Sequence, residues 1–422
     1  MMSCTFHLSR TYARYSVDRA RSLLGFTSAR SICRKVLGIE TSCDDTGVAV
    51  VDTDGKLLGE SLYSQQHLHT QLGGIIPPIA RDSHNENIDK ATEEALIKAN
   101  LTFDELDAIA VTTRPGLPLS LMVGTKYAKK LSLNYQKPLI PIHHMEAHAL
   151  TIRMVEKVNF PFLVLLISGG HSLLAVAQDI DRFLLLGKTH DNAPGEVLDK
   201  IARRLKLNNI NGEGSSAVNL EKIAKNGDPT AFNISEPLVT AKDCHFSFAG
   251  IMNSSTRKIL SEEEKYNCIG DMVLPSVHDL CASIQFAVTK HLCRRIQRAM
   301  EFCSLKGLIT PEEQSLVISG GVACNKTIRS ALETVCKHRG YRLYAPPVSL
   351  CTDNGIMIAW NGVEKLIAGK PLCSPDQLHL IDIRGKCPFG VDISSEVIEA
   401  NLKVSWISPK LLLNQTTCSS TL

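Results

Sequence analysis

No two of the fourteen cysteines stand in a C-x-x-C pair. That absence argues against a zinc ribbon or a disulfide framework. It favours a reducing compartment, where most cysteines serve as small buried apolar side chains. Long apolar runs are missing too. None approaches the ~20 residues a membrane helix requires, so no membrane insertion is expected. Nor does one sign of charge dominate: 46 Lys and Arg against 43 Asp and Glu leave a net +3. The balance hides an asymmetry. Residues 1–35 carry Arg10, Arg14, Arg19, Arg21, Arg30, Arg34 and Lys35 against Asp18 alone, so the remaining chain is net −3. Any grip on a polyanion must therefore come from local basic patches. An arginine-rich, acid-poor leader without an apolar core has the composition of a mitochondrial presequence, not of a secretory signal. A disordered basic tail that holds nucleic acid is the competing reading.

What the chain does have is the run His143-His144-Met145-Glu146-Ala147-His148. In a helix, residues four apart share a face, so His144 and His148 can chelate one metal ion. The zinc-protease pattern H-E-x-x-H needs its glutamate directly after the first histidine. Glu146 stands two residues after His144, ~200° around a helix, and points off that face. The pair can hold a metal, but the hydrolytic base is missing. A buried, hydrogen-bonded histidine pair is the bland alternative. Three further runs keep it company: Ser168-Gly169-Gly170-His171, Ser319-Gly320-Gly321-Val322-Ala323-Cys324-Asn325 and Cys351-Thr352-Asp353-Asn354-Gly355. The first two follow strand-like apolar segments, and glycine turns at strand ends expose backbone N–H groups to anions. Asp353 offers a third, hard metal ligand.

At 422 residues the chain has room for two domains. Residues 36–51 read strand, polar turn, strand, and residues 163–177 repeat the outline, which suggests a duplicated α/β unit. Between them, Ile88, Ala91, Ala95 and Leu96 recur at helical spacing within 82–99, and 106–113 reads as a buried strand. Residues 280–303 read as a long amphipathic helix whose polar face carries Arg294, Arg295 and Arg298, a solvated face sooner than an RNA contact. The tail beyond about residue 390 has no clear signature.

Eight motifs in order resemble one family, the TsaD-type tRNA N6-adenosine threonylcarbamoyltransferases, in its organellar branch. They are GIETSCDDTG (38–47), GGIIPPIA (73–80), PIHHMEAH (141–148), ISGGH (167–171), GEVLDK (195–200), FSFAG (246–250), SGGVACN (319–325) and CTDNG (351–355). The resemblance implies an α/β fold of the actin/hexokinase/heat-shock-chaperone type, two RNase H-like halves around a cleft. On that pattern 1–35 is the presequence and 36–143 the first half, completed by about 345–385. Residues 144–344 form the second half and 386–422 the tail.

The implied reaction moves a threonylcarbamoyl group from threonylcarbamoyl-AMP to N6 of the adenosine next to the anticodon (position 37), in mitochondrial tRNAs reading A-starting codons. Carried over, His144, His148 and Asp353 hold one divalent metal ion, iron or zinc. Leu166, Ile167, Ser168, Gly169 and Gly170 cradle the adenylate, Asp199 and Glu221 bind its ribose, and Asn325 contacts adenine or ribose. Asp44 and Asp45 form the acidic pair that takes the N6 proton or positions the acceptor; turn and cap chemistry is their alternative. The resemblance further implies tRNA and a separate threonylcarbamoyl-AMP synthase as partners, a homodimer, and the mitochondrial matrix as location. The chain departs from the family pattern at Asn211–Ser216, where a Gly-Gly pair is usual, at Met252, where lysine is common, and at Arg114, where small residues are common. Competing functions are a metalloendopeptidase of the glycoprotease type, a sugar kinase or ATPase of the same superfold, and a non-enzymatic scaffold.

Overall fold

The computed structural model describes residues 33–413 apart from 73 and 212–215. The first 32 residues of the presequence reading, Gly73 of the second motif, most of the atypical 211–216 loop and residues 414–422 of the tail lie outside the described residues. Among the described residues eleven strands form two sheets. The first holds β1 (Lys35–Glu40), β2 (Asp45–Asp52), β3 (Leu57–Ser64), β4 (Ala108–Arg114) and β5 (Leu139–His143) in the order β3-β2-β1-β4-β5. The second holds β6 (Phe162–Ile167), β7 (Ser172–Asp179), β8 (Arg182–Lys188), β9 (Ser315–Ser319), β10 (Arg342–Tyr344) and β11 (Val391–Asp392), ordered β10-β9-β6-β7-β8-β11.

Each sheet opens with an antiparallel meander, and each then adds two strands parallel to the first. With β11 set aside, both have the same RNase H-like order. The duplication read from the two hairpins is realised, and the fold is the expected α/β one. The strands β1 and β6 lie buried at the sheet centres, which is why their sequences are continuous apolar runs without alternation.

The helices that matter for the site are α1 (Pro77–Ala99), α2 (Pro118–Tyr135), α3 (His144–Leu150), α4 (Pro194–Arg204), α5 (Ser216–Ala224), α6 (Val277–Lys306), α7 (Lys326–Arg339) and α8 (Gly355–Ile367). On α1, Ile88, Ala91, Ala95 and Leu96 are all buried, as their spacing predicts. The helix begins earlier than the sequence suggests because Pro77 and Pro78 occupy its first turn, where a missing N–H costs nothing. Helix α6 corrects an expectation: it is buried nearly all round, not amphipathic. Arg295 and Arg298 are buried, and their guanidinium groups hold the carbonyls of Ala241 and Asp243, with Arg295 also reaching Leu238. They brace a loop and do not face solvent.

The tail, unreadable in the sequence, packs onto the second half. Val397 and Leu412 are buried, the Ile407 N–H donates to Gln297 Oε1, and Arg294 and Arg298 lie over the Trp406 ring. Among the described residues no helix is long and apolar enough to cross a membrane.

Close backbone packing brings residues near 38 and 48 together with those near 355 and 359 at the first sheet. A Cβ on Gly38 would stand 2.2 Å from Ala359 N, and one on Gly355 would stand 2.5 Å from Val48 C. Only hydrogen fits at these points. The start of α8 therefore settles directly on β1 and β2, and the residues just before it reach the turn that joins those strands.

Candidate functional site: a histidine–aspartate centre beside an acidic turn

Strand β5 runs straight into α3, so His144 opens the helix and His148 follows one turn later. His143 caps that helix, its Nδ1 accepting from the Met145 N–H at 3.2 Å. Both ligand candidates are buried and their rings meet edge-on, centroids 4.7 Å apart. Asp353 arrives from the loop before α8, where Asn354 accepts from the Met357 N–H at 2.8 Å and donates to the Thr352 carbonyl at 2.6 Å. Its Oδ1 lies 3.0 Å from His148 Nε2 and 3.5 Å from His144 Nε2. Two imidazole nitrogens and one carboxylate oxygen thus converge within 4.8 Å of one another. That donor set suits a divalent transition metal with open positions.

Sequence reasoning missed the residue that orients this set. Glu40, at the end of β1, is 1% exposed. Its Oε1 accepts from the Ser42 N–H at 2.5 Å, and its Oε2 accepts from Thr112 Oγ1 at 2.5 Å and faces His144 Nδ1 at 3.2 Å. A carboxylate on Nδ1 leaves Nε2 aimed at the metal position. Burial works to raise the Glu40 pKa, but His144 overrides it and holds the group below the usual carboxylate range. Burial likewise opposes ionisation at Asp353, and His144 and His148 again win, keeping it an anion. Against the downward push of burial, Asp353 and Glu40 raise the His144 imidazole to about 9. His171, from the ISGGH motif, joins the same neighbourhood, its pKa lowered to about 4 by burial and then by His144.

Asp44 ends the turn after β1 and Asp45 opens β2, and both are half-buried. Burial first, then Asp353, raises the pKa of Asp44. Burial raises that of Asp45 to about 7, with Asp44 and Asp353 adding to it and Ser64 opposing. One oxygen of Asp45 is buried with no hydrogen-bond partner among the described residues. The turn is clamped by His84 of α1, another residue the sequence did not single out. Its Nδ1 lies 2.7 Å from Thr46 Oγ1 and its Nε2 3.1 Å from the Cys43 carbonyl, which spans the acidic pair from both sides.

The residues expected to cradle an adenylate fall at the carboxyl end of β6 in the second sheet. Leu166 and Ile167 are buried inside the β6 ladder, whereas Ser168, Gly169 and Gly170 form the turn beyond it. Around Gly169 and Gly170 a Cβ would meet nothing within 4 Å, so this backbone lies open. Helix α4 begins against it: a Cβ on Gly195 would stand 2.9 Å from the Gly169 Cα. Asp199 Oδ1 accepts from the Ala217 N–H at 2.9 Å, at the start of α5. Glu221 Oε1 accepts from the Lys326 N–H at 2.9 Å, and Asn325 caps α7 through the Ile328 N–H at 3.1 Å while donating to Gln285 at 2.9 Å. All three serve as helix-start acceptors, a role their sequence positions did not reveal.

Glu146 is accounted for as well. It pairs with Lys365 of α8 at 3.3 Å, away from the histidine face.

The chain matches the model of the TsaD family, described as tRNA N6-adenosine threonylcarbamoyltransferase, over residues 56–360. It is 51% identical over 380 residues to a Mus musculus protein named tRNA N6-adenosine threonylcarbamoyltransferase, mitochondrial, covering 88% of this chain and 90% of that one. Proteins of the same name from Homo sapiens (49% over 378 residues; 87% and 89% covered) and Danio rerio (48% over 391 residues; 92% and 95% covered) are similarly close.

Proposed function

The chain belongs to the TsaD family of tRNA N6-adenosine threonylcarbamoyltransferases, and from that membership and the site geometry we propose how it carries out the transfer. It is a mitochondrial acyl transferase that modifies N6 of adenosine in tRNA; the matrix is our proposal for where. The donor is a mixed carbamic–phosphoric anhydride. In the step itself, the N6 nitrogen attacks the carbamoyl carbon, the bond from that carbon to the phosphate oxygen breaks, and AMP leaves. The proton lost from N6 passes to a carboxylate of the acidic turn. Asp45 suits that role because burial places its pKa near neutrality and leaves an oxygen without a partner. Asp44 positions the acceptor amine beside it.

His144, His148 and Asp353 would hold the divalent metal, iron or zinc, with Glu40 fixing the His144 ring. Bound there, the metal would supply Lewis acidity and a template for the anhydride's oxygens. The open Ser168–Gly170 backbone would take the adenylate phosphate, Asp199 and Glu221 its ribose hydroxyls, and Asn325 its ribose or base, each adding to its capping role. Leu166 and Ile167 would support that turn from within the sheet. The single observation that carries this reading is the convergence of His144, His148 and Asp353 next to the Asp44–Asp45 turn. The endopeptidase reading is not favoured, because Glu146 is engaged with Lys365 and faces away from the histidines. We further propose residues 1–35 as a cleaved presequence, a homodimer, and a separate synthase that supplies threonylcarbamoyl-AMP.

The test is modification of an unmodified mitochondrial tRNA by the purified, metal-loaded chain, with a threonylcarbamoyl-AMP-generating enzyme, ATP, threonine and bicarbonate. Nucleoside mass spectrometry should find threonylcarbamoyladenosine, and should not find it with His148→Ala. A His148→Ala protein with normal metal content and normal product would refute the ligand assignment.

A further inference from the structure

Two segments distant in sequence are laced together beside the acidic turn. The Arg384 N–H donates to the Thr113 carbonyl at 2.9 Å, and the Gly116 N–H donates to the Gly385 carbonyl at 3.1 Å. The segment that follows β4 rests directly on the turn, where the Leu117 N–H donates to the Ser42 carbonyl at 2.8 Å. A Cβ on Gly116 would stand 2.5 Å from that same carbonyl oxygen, so the two backbones meet with only hydrogen between them. Ser42 Oγ lies 3.1 Å from His144 Nδ1. Arg114 closes β4 and pairs in register with His143, whose Nε2 lies 3.2 Å from the Pro388 carbonyl. Residues 113–117 and 384–388 are thereby tied to the edge of the histidine–aspartate centre.

These segments are basic. Residues 113–118 and 381–388 carry Arg114, Arg384 and Lys386 against one acid, Asp382. Arg384 and Lys386 are exposed, and Arg114 is half-buried. None of the three has an ion-pair partner among the described residues. The one hydrogen bond from their side chains there runs from Arg114 Nη1 to Thr113 Oγ1 at 3.5 Å. Arg153, Arg204, Arg295 and Arg339, by contrast, are each engaged with a carboxylate. The fold pairs none of the three charges beside the turn.

Their position answers an electrostatic difficulty. Glu40, Asp44, Asp45 and Asp353 gather at the centre, and residues 36–422 are net −3. Such a surface repels a polyanion unless cations stand beside it. Guanidinium groups suit phosphate oxygens, which they can hold through two parallel N–H bonds. We propose that Arg114, Arg384 and Lys386 form a phosphate-binding rim, which seats the tRNA backbone so that the acceptor adenosine enters the centre. That the polyanion is tRNA rests on the transfer reading above; the rim's affinity for phosphates does not.

The experiment uses the full chain and follows binding of an unmodified mitochondrial tRNA by fluorescence anisotropy over a series of salt concentrations. Arg384→Gln and Lys386→Gln should each weaken binding and reduce the slope of log affinity against log salt by about one. Adding Arg114→Gln to both should bring the loss at physiological salt to at least about tenfold. Phosphate contacts carry no base sequence, so tRNAs with and without adenosine at position 37 should be weakened alike. Lys56→Gln is the control: this exposed lysine lies in the turn after β2, at the far end of that strand from Asp45, and its loss should change neither quantity. Melting temperature and affinity for a non-hydrolysable threonylcarbamoyl-adenylate analogue should match the parent's in every variant. Parent-like affinity and salt slope in the triple variant would overturn the rim, as would an equal loss in Lys56→Gln. Weakened analogue binding with tRNA binding intact would overturn it too, by assigning the cations to the donor's phosphate. A parent chain that binds no tRNA at any salt would overturn the transfer reading, and the rim with it.

Discussion

Glu40 and His144 are joined at 3.2 Å through Oε2 and Nδ1, while the other nitrogen of the same ring faces Asp353 at 3.5 Å. One ring is thus held between an orienting carboxylate and the carboxylate of a proposed ligand. Replacing Glu40 by Gln keeps an acceptor but removes the charge that keeps the imidazole basic. Outer-shell partners of this kind are typically worth about 10–100-fold in metal affinity. Glu40→Gln should therefore stay folded and bind iron or zinc at least tenfold more weakly by competitive chelation, with transfer falling in step. Metal affinity equal to that of the parent would dismiss the orienting role.

Asp45 makes stability depend on pH in a definite sense. Its folded pKa is about 7 against an ordinary 3.8, with burial the main cause. Between those values the folded state keeps a proton that the unfolded chain has released. Stability therefore falls as pH rises through that window, and the deficit is complete above about 7. Asp45→Asn removes it. The variant should melt higher than the parent at pH 8, and the gap should close towards pH 4. If Asp45 receives the N6 proton, the parent's transfer rate climbs through pH 7 and the variant lacks that limb. A melting gap that ignores pH would show that Asp45 is not held protonated by the fold.

Asp199 caps α5 and is proposed to bind the ribose, and one substitution can separate the two roles. Asparagine keeps an oxygen for the Ala217 N–H and loses the negative charge. Asp199→Asn should hold its melting temperature while losing about 1.5–3 kcal/mol of affinity for a non-hydrolysable threonylcarbamoyl-adenylate analogue, the range of a charged hydrogen bond. Asp199→Ala should lose both. Should both variants leave analogue binding intact, with only Asp199→Ala melting lower, Asp199 is only a cap.

What the sequence made legible was periodic or local. The duplicated hairpins, the α1 stripe and the His144/His148 face all follow from spacing along one element. Glu40 was not legible, because its partners Thr112 and His144 stand 72 and 104 residues away and β1 looks like any buried strand. Arg295 and Arg298 misled for the opposite reason. Helical spacing placed them on a polar face, and nothing local announced that the carbonyls of Ala241 and Asp243 would cover it. The sequence marked Asp199, Glu221 and Asn325 through their motifs, but their capping bonds depend on how α4, α5 and α7 are stacked. Composition said nothing of the tail, since Trp406 gains meaning only under two arginines of α6.

The glycines of the first and last motifs give the most direct test of how the fold builds the centre. A methyl group at residue 38 would lie 2.2 Å from Ala359 N and 2.4 Å from the Gly355 carbonyl, and both obstacles are helix backbone. No side-chain rotation relieves such a clash, so α8 must move off β1. Overpacking of this kind costs about 1–3 kcal/mol. Because Asp353 precedes α8 by two residues, the same movement draws its carboxylate away from His144 and His148. Gly38→Ala should accordingly lose stability and weaken metal binding together, although its methyl group would meet none of the three proposed ligands. Gly170→Ala is the matched control: its methyl group meets nothing within 4 Å, so stability and metal affinity should stay as they are. Calorimetric melting and a metal titration on both variants decide the matter. A Gly38→Ala protein that melts lower yet binds metal normally would mean that Asp353 is held by its own loop and not by the seat of α8 on β1.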